Sequence, residues 1–335
     1  MSVLIPTHRR AAKLGACVGA LARQHTDARF EVLVGVDGGD EGASARAAHD
    51  AWGDRPGLRV VDLPKGGPGA VRNALARLAA GALTILLNDD VVPEPTLLDA
   101  HVAARRTLAD PRALVLGDAP WKRHTPDRLF DQVVRETSMV FFYDRMLPHW
   151  NDRDRDWGYR HAWTLNLSLP TDLLRETRFF EIDGTYGYDD IEFAYRARVP
   201  VFFRPGARVV HDHRIEPAEY LRREYHLGRT ARVYAARFPE MCRDLFRRDI
   251  LSPVEVDAAR RHVHEGLTGL RRVCLWFLAL ADTPAGQMHD NITALYDAHL
   301  PLKRWAWRRG LLDALDDVAA RDIVRELVGE PVTTD

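Results

Sequence analysis

The sequence predicts an α/β protein, a mostly parallel sheet flanked by helices, with a helical C-terminal extension. Three observations predict it. Through residue 118, consecutive apolar runs alternate with helical periodicity; the runs end in polar clusters; and from about residue 217 almost every segment has helical periodicity. Such βαβα order pairs strands in parallel and places ligand-binding residues at their carboxyl ends.

SVLIP (2–6), FEVLVGVD (30–37), LRVVDL (58–63), LTILLN (83–88) and ALVLGD (113–118) read as strands, and 10–24, 42–52, 69–80 and 95–108 as helices. Pro93 and Pro95 are expected to stop any regular pairing after the fourth strand. Beyond about residue 120 comes a charged, Trp-rich section (WKRHTPDR, NDRDRDWGYRHAW) with little periodicity, which reads as loops. The helical remainder is expected to break at Pro239, Pro253, Pro284 and Pro301.

The 335 residues, 46% hydrophobic, are enough to bury a large core. Lys and Arg total 47 against 48 acids, so no global field draws the chain to nucleic acid or membrane, and any such attraction needs a local patch. Three distant cysteines (Cys17, Cys242, Cys274) provide neither a disulfide framework nor metal-ligand spacing and fit a reducing compartment. The longest apolar run, Val273–Ala281, falls far short of the roughly 20 residues that span a bilayer, and no signal sequence opens the chain. A soluble, cytoplasmic protein without nucleic-acid partners is expected.

The first strand ends in Pro6-Thr7-His8-Arg9, the second in Asp37-Gly38-Gly39-Asp40 and the fourth in Asn88-Asp89-Asp90, while GGPG (66–69) and Arg72-Asn73 open the intervening helix. Each alone has a plain reading as a turn or helix cap, and for Asn88–Asp90 a solvated turn and a metal site both stand open. Their joint order narrows the choice. SVLIPTHRR, FEVLVGVDGGDEG, GGPGAVRNALARLAAGALTILLNDDVVPEP, WTLNLSLP and GYDDIEFAYRAR together resemble the signatures of the family 2 glycosyltransferases with a GT-A fold, over about residues 1–215.

The resemblance implies the site. Asp37, at the end of the second strand, would read the nucleotide base, a carboxylate accepting from a uracil N–H, with Pro6 and Thr7 as the neighbouring wall. Arg72 would lie beside the nucleotide and offset phosphate charge. Asn88-Asp89-Asp90 resembles the Asp-x-Asp motif, whose last acid binds the divalent cation bridging the phosphates. That makes Asp90 the expected ligand of Mn²⁺ or Mg²⁺, with Asp89 and Asn88 as nucleotide contacts; Asn88 departs from the family's first acid. His211, after the apolar Val209-Val210, would complete the metal site, with His213 as the alternative. Asp190 matches the family's catalytic base, which takes the acceptor's proton in an inverting transfer, and Asp189 would support it; capping of the helix start is the structural alternative. Glu192 and Arg196, four residues apart, are expected to pair.

Trp163 and Asn166 fall on the segment resembling the acceptor-side strand, and Trp121, Trp150 and Trp157 sit in loops where a ring can stack on a sugar. In LPLKRWAWRRGLL, Lys303, Arg304, Arg308 and Arg309 bracket Trp305 and Trp307. Peripheral membrane contact through 301–312 and packing of both Trp against the catalytic domain are equally open.

The expected organisation is a GT-A catalytic domain over 1–215, with 1–118 binding the nucleotide sugar and 119–215 the acceptor, and a helical extension over 216–335 that offers a surface for homo-oligomers. The expected function is metal-dependent, inverting transfer of a sugar from a nucleoside diphosphate donor, a UDP-sugar by preference, to a hydroxyl of a carbohydrate, lipid-linked or small-molecule acceptor in polysaccharide, glycolipid or natural-product glycan assembly. A nucleotidyltransferase should carry a Gly-rich basic loop after the first strand, and residues 6–10 contain no Gly. A non-catalytic sugar-nucleotide binder would have no use for Asp190.

Overall fold

The structure, a computed structural model, describes residues 1–182, 187–286 and 289–330. In chain order its elements are β1 (Ser2–Thr7), α1 (Ala11–Ala22), β2 (Glu31–Asp37), α2 (Ala43–Trp52), β3 (Leu58–Leu63), α3 (Gly67–Leu78), β4 (Leu83–Leu87), β5 (Val91–Pro93), α4 (Leu97–Arg106), β6 (Leu114–Asp118), α5 (Leu129–Glu136) and α6 (Tyr143–Met146). They continue with β7 (Asn166–Pro170), α7 (Thr171–Thr177), α8 (Asp189–Ala197), β8 (Val201–His211), α9 (Pro217–Arg237), α10 (Pro239–Phe246), α11 (Pro253–Ala281), α12 (His289–Leu315) and α13 (Ile323–Val328). The strands and helices expected through residue 118 are therefore observed, with ends shifted by a few residues.

The chain divides into two compact units. The first comprises Met1–Lys122, the described part of Phe142–Gly184, and Asp189–His213. It holds an eight-stranded sheet in the order β3-β2-β1-β4-β7-β6-β8-β5. The β3-β2-β1-β4 half is parallel, as the βαβα order requires, and its strands are buried by Val3, Leu4, Ile5, Val32, Val34, Ile85 and Leu86. The other half is mixed: β7 runs antiparallel to both β4 and β6, whereas β6 and β8 are parallel.

One expectation is overturned here. Pro93 does not end pairing, because Val91–Pro93 form an edge strand antiparallel to β8, with Val91 opposite His211 and Pro93 opposite Val209. An edge position tolerates proline, whose missing N–H faces away from the ladder. The short strand matters for the site, since it lays the end of β8 beside Asp90.

The second unit comprises Arg123–Phe141 and the described parts of Thr185–Tyr188 and Arg214–Asp335. The boundary read from sequence at 215 keeps 123–141 with the sheet. In the structure that segment joins the helices, because α5 turns Phe130 onto Tyr220 and Phe277, with ring centroids 6.2 and 5.9 Å apart. Pro301 does not break its helix either. It lies inside α12, where Leu295, Ala298, Leu302, Trp305 and Ala306 bury a continuous face that offsets the roughly 3 kcal/mol an internal proline costs.

Trp305 is fully buried and donates from Nε1 to the Val263 carbonyl at 3.0 Å, and Trp307 Nε1 donates to Tyr188 Oη at 2.9 Å. Lys303 lies 3.7 Å from Glu224, and Arg309 3.6 and 3.5 Å from Asp313 and Glu326. The two tryptophans thus make these contacts within the helical unit. Among the described residues no helix is long and apolar enough to cross a membrane.

α9 and α12 cross at two glycines. A Cβ on Gly228 would fall 1.9 Å from the Trp307 carbonyl oxygen, and one on Gly310 1.9 Å from that of Tyr225. In a free helix Gly→Ala gains about 1 kcal/mol. Here backbone on the facing helix must move, an overpacking cost of about 1–3 kcal/mol or more. Gly310→Ala is therefore expected to lower Tm, read by circular dichroism; a raised Tm would mean that the helices part freely.

Candidate active site

The residues expected to bind nucleotide and metal and to act on the acceptor's proton lie in the first unit, at the carboxyl ends of β1, β2, β4 and β8, within α3 (Arg72) and at the start of α8. β4 delivers Asn88-Asp89-Asp90. Asp89 is fully buried: Oδ2 accepts from Thr7 Oγ1 at 2.7 Å, and Oδ1 lies 2.9 Å from Arg10 Nη2. Burial raises its carboxyl to about 6 against the opposing pull of Arg10 and Thr7. Asp90 is 5% exposed and its Oδ2 accepts from Arg10 Nη1 at 2.7 Å. His211 Nε2 and His213 Nδ1 each approach Asp90 to 3.6 Å. Burial would raise the Asp90 carboxyl, but His211, Arg10 and His213 outweigh it and hold it well below the carboxylate range.

His211 is positioned by backbone pairing. It faces Val91 across the β5–β8 ladder, its N–H donates to the Pro120 carbonyl at 2.8 Å, and Asp212 N–H donates to the Asp90 carbonyl at 2.7 Å. Trp121 lies over the imidazole, ring centroids 4.2 Å apart at 30°, and so stacks on the proposed ligand. Asp212 turns away to Lys13 and Lys122 at 2.9 and 3.1 Å.

These groups fit a hard divalent cation. Asp90 Oδ1 is buried with no hydrogen bond among the described residues, the carboxylate is held as an anion, and imidazole suits Mn²⁺ better than Mg²⁺. Among the described residues no three His, Cys, Asp or Glu form a ready-made cluster. The protein would supply one or two ligands and leave the rest to phosphate and water, the usual arrangement for such ions at nucleotides.

A second group forms around Arg72, which is 3% exposed. Its Nη2 donates to Asn88 Oδ1 at 3.2 Å, its Nη1 to Asp189 Oδ2 at 3.1 Å, and its guanidinium lies over the Phe179 ring at 5.3 Å. The next residue, Asn73, exchanges two 2.8 Å hydrogen bonds with the backbone of Phe179 and so fastens that loop to α3. Asn88 thus keeps a place in the site without the charge of the family's first acid.

Asp190 opens α8, its Oδ1 accepting from Ile191 N–H at 2.8 Å. Burial first and the neighbouring Asp189 second push its carboxyl up toward neutrality, while Arg72 and the backbone oppose this. Among the described residues the two acids have different partners: Asp189 pairs with Arg72, and Asp190 pairs with no cation. Glu192 pairs with Arg196 as the spacing predicted.

Asp37 sits apart. Its Oδ1 accepts from Gly66 and Gly67 N–H at 2.8 and 3.2 Å and its Oδ2 from Lys65 at 2.8 Å, and these bonds outweigh burial to lower its carboxyl. The side chain fixes the turn before α3, so both of its oxygens are engaged.

The two residues expected on the acceptor side are buried. Trp163 is 6% exposed in a cluster with Phe142, Tyr143 and His161. Asn166 is fully buried: its Oδ1 meets His101 Nε2 at 2.9 Å, and its amide donates to the Asp118 and Ala207 carbonyls at 3.0 and 2.9 Å. Trp163, before β7, is packed against those rings, and Asn166, the first residue of β7, against His101 and two carbonyls. Arg10 and Lys65 were not foreseen. Arg10 belongs to the polar cluster after the first strand, but nothing in local sequence shows that it folds back onto Asp89 and Asp90.

Comparisons with known proteins bear on this arrangement. Residues 2–150 match the profile of Glycosyl transferase family 2. A validoxylamine A glucosyltransferase of Streptomyces hygroscopicus subsp. jinggangensis (strain 5008) is 32% identical over 216 residues, covering 58% of this chain and 50% of that protein. One of the same name from subsp. limoneus is 32% identical over 58% and 47%. The chain spans about half the length of the curated relatives it matches. Among solved structures, S. aureus TarS 1–349 is 16% identical over 100% of this chain and 98% of its own, with a TM-score of 0.48. The mannosyltransferase PcManGT from Pyrobaculum calidifontis, in complex with GDP-Man and Mn²⁺, is 16% identical over 98% and 87%, with a TM-score of 0.48.

Proposed function

We infer from one premise, that residues 2–150 belong to glycosyl transferase family 2, that this protein transfers a sugar from a nucleoside diphosphate donor, UDP-linked by preference, to an acceptor hydroxyl with inversion. The observation that carries it is the meeting of three chemistries in one unit: a buried guanidinium (Arg72), a buried anionic carboxylate with two imidazoles (Asp90, His211, His213), and a carboxylate with no ion-pair partner among the described residues and a raised proton affinity (Asp190). Transfer to a small-molecule acceptor is favoured by the names of the 32%-identical relatives, glucosyltransferases of validoxylamine A.

Each residue has a part. Arg72, pre-oriented by Asn88 and Asp189, binds the donor's diphosphate. Asp37 holds the turn before α3 that frames the nucleotide beside Pro6 and Thr7. Asp90 and His211 would hold the Mn²⁺ or Mg²⁺, with His213 alongside, and Asp89 keeps that strand end in place through Thr7. A divalent cation there supplies charge compensation for the departing nucleoside diphosphate. Asp190 accepts the proton of the acceptor hydroxyl, a task suited to a carboxylate whose pKa lies nearer neutrality than usual.

The test is a thermal-shift series with UDP, GDP and their sugar conjugates, with and without Mn²⁺. A ligand at 100 times its Kd stabilises by about 2.7 kcal/mol. UDP or a UDP-sugar is expected to raise Tm, and Mn²⁺ to enlarge the rise. No shift with any nucleotide in either condition, together with no release of nucleoside diphosphate from any donor, would overturn the reading.

A further inference from the structure

Asp89 and Asp90 are adjacent carboxylates, 0% and 5% exposed, and two buried anions side by side repel each other. One guanidinium relieves this. Arg10 sends Nη2 to Asp89 at 2.9 Å and Nη1 to Asp90 at 2.7 Å, so its fork spans two carboxylates. The partners differ in freedom. The acids are fixed at the end of β4, whereas the Arg10 side chain is 44% exposed and stands at the N-terminal edge of α1. The oxygen that Arg10 occupies on Asp90 belongs to the same carboxylate that His211 and His213 approach.

We propose that Arg10 is a built-in counter-cation of the Asp89–Asp90 pair, holding the place of the divalent ion in the free protein and leaving it when a nucleoside diphosphate and the metal arrive together. This rests on the reading of Asp90 as the metal ligand. A metal at Asp90 must share that carboxylate with a guanidinium on its other oxygen, whose positive charge opposes the ion, so its affinity for the free protein is low. When a diphosphate is present, the released guanidinium finds a second anion of the geometry it binds best. Metal and nucleotide then favour each other's binding, and by linkage each enhances the other by the same factor.

The probes are Mn²⁺ alone and Mn²⁺ with UDP, using the full chain and its variants Arg10→Gln, Arg10→Lys and Asp90→Asn. Bound Mn²⁺ is read by electron paramagnetic resonance and stability by Tm. Arg10→Gln is expected to bind Mn²⁺ without nucleotide about tenfold tighter than the parent, within the usual range of coupling, and to lose a similar factor of mutual enhancement between Mn²⁺ and UDP. Its metal-free Tm should fall and recover with Mn²⁺, because the acids lose their counter-charge. Arg10→Lys should fall between, since one ammonium replaces the two-pronged fork, and it serves if the Gln variant folds poorly. Mn²⁺ binding by Arg10→Gln no tighter than the parent's, while Asp90→Asn loses it, would overturn the role of Arg10 and leave Asp90 as a ligand. Parent-like Mn²⁺ binding in Asp90→Asn would overturn the metal reading and this proposal with it.

Discussion

Asp190→Asn is expected to bind UDP and Mn²⁺ almost as the parent does and to lose turnover by roughly 10²-fold or more, the usual cost of removing a general base. The substitution keeps the shape and the acceptor oxygen that meets Ile191 N–H, so the start of α8 should persist. Only the proton-accepting capacity is lost. The sign of the pH dependence follows from the raised proton affinity of Asp190, caused by burial and by Asp189. A base must be ionised, so parent kcat should climb as pH rises through a value above the ordinary carboxylate range, and Asp190→Asn should lack that limb. Asp189→Asn should differ in kind: it weakens the hold on Arg72, so KM for the donor rises more than kcat falls. The product should have the opposite anomeric configuration to the donor, readable by NMR. Retention, or equal loss of donor binding and turnover in Asp190→Asn, would remove Asp190 from the role of base.

Asp90→Ala is expected to abolish the added stabilisation that Mn²⁺ gives to the UDP complex and to cut turnover by on the order of 10²-fold or more, because several kcal/mol of charge compensation at the leaving diphosphate is lost. The fold should survive. The β5–β8 ladder pairs through backbone, and Asp212 N–H reaches the Asp90 carbonyl rather than its side chain. UDP binding without metal should change much less, since Arg72 and its partners Asn88 and Asp189 are untouched. Calorimetry of UDP binding with and without Mn²⁺ separates the two contributions. A Mn²⁺-dependent gain in UDP affinity equal to the parent's would show that the ion sits elsewhere.

The sequence by itself determined what depends on neighbours along the chain. Apolar runs and helical periodicity located β1 to β4 with α1 to α4, and alternation made that half of the sheet parallel, because consecutive βα units leave few other connections. It also placed Asn88–Asp90 and Asp190 at element ends. Tertiary structure decided the rest. Val91–Pro93 looked unable to pair until β8 came beside it, and that pairing, with the backbone bonds to Pro120 and Asp90, sets His211 against Asp90. The burial of Trp163 and Asn166 was not legible in their segment, because it is set by what packs on them, the Phe142 and Tyr143 rings on Trp163 and His101 on Asn166. Trp305 and Trp307 looked amphipathic beside four cations, but α11 and Tyr188 took both indoles. Arg10 reads as one more polar residue after a strand; only the turn of the chain that brings α1 to the end of β4 gives it two buried acids to neutralise. Local pattern fixes direction and periodicity, whereas the partner of a charge or a ring is fixed by contacts between residues far apart in sequence, which periodicity does not encode.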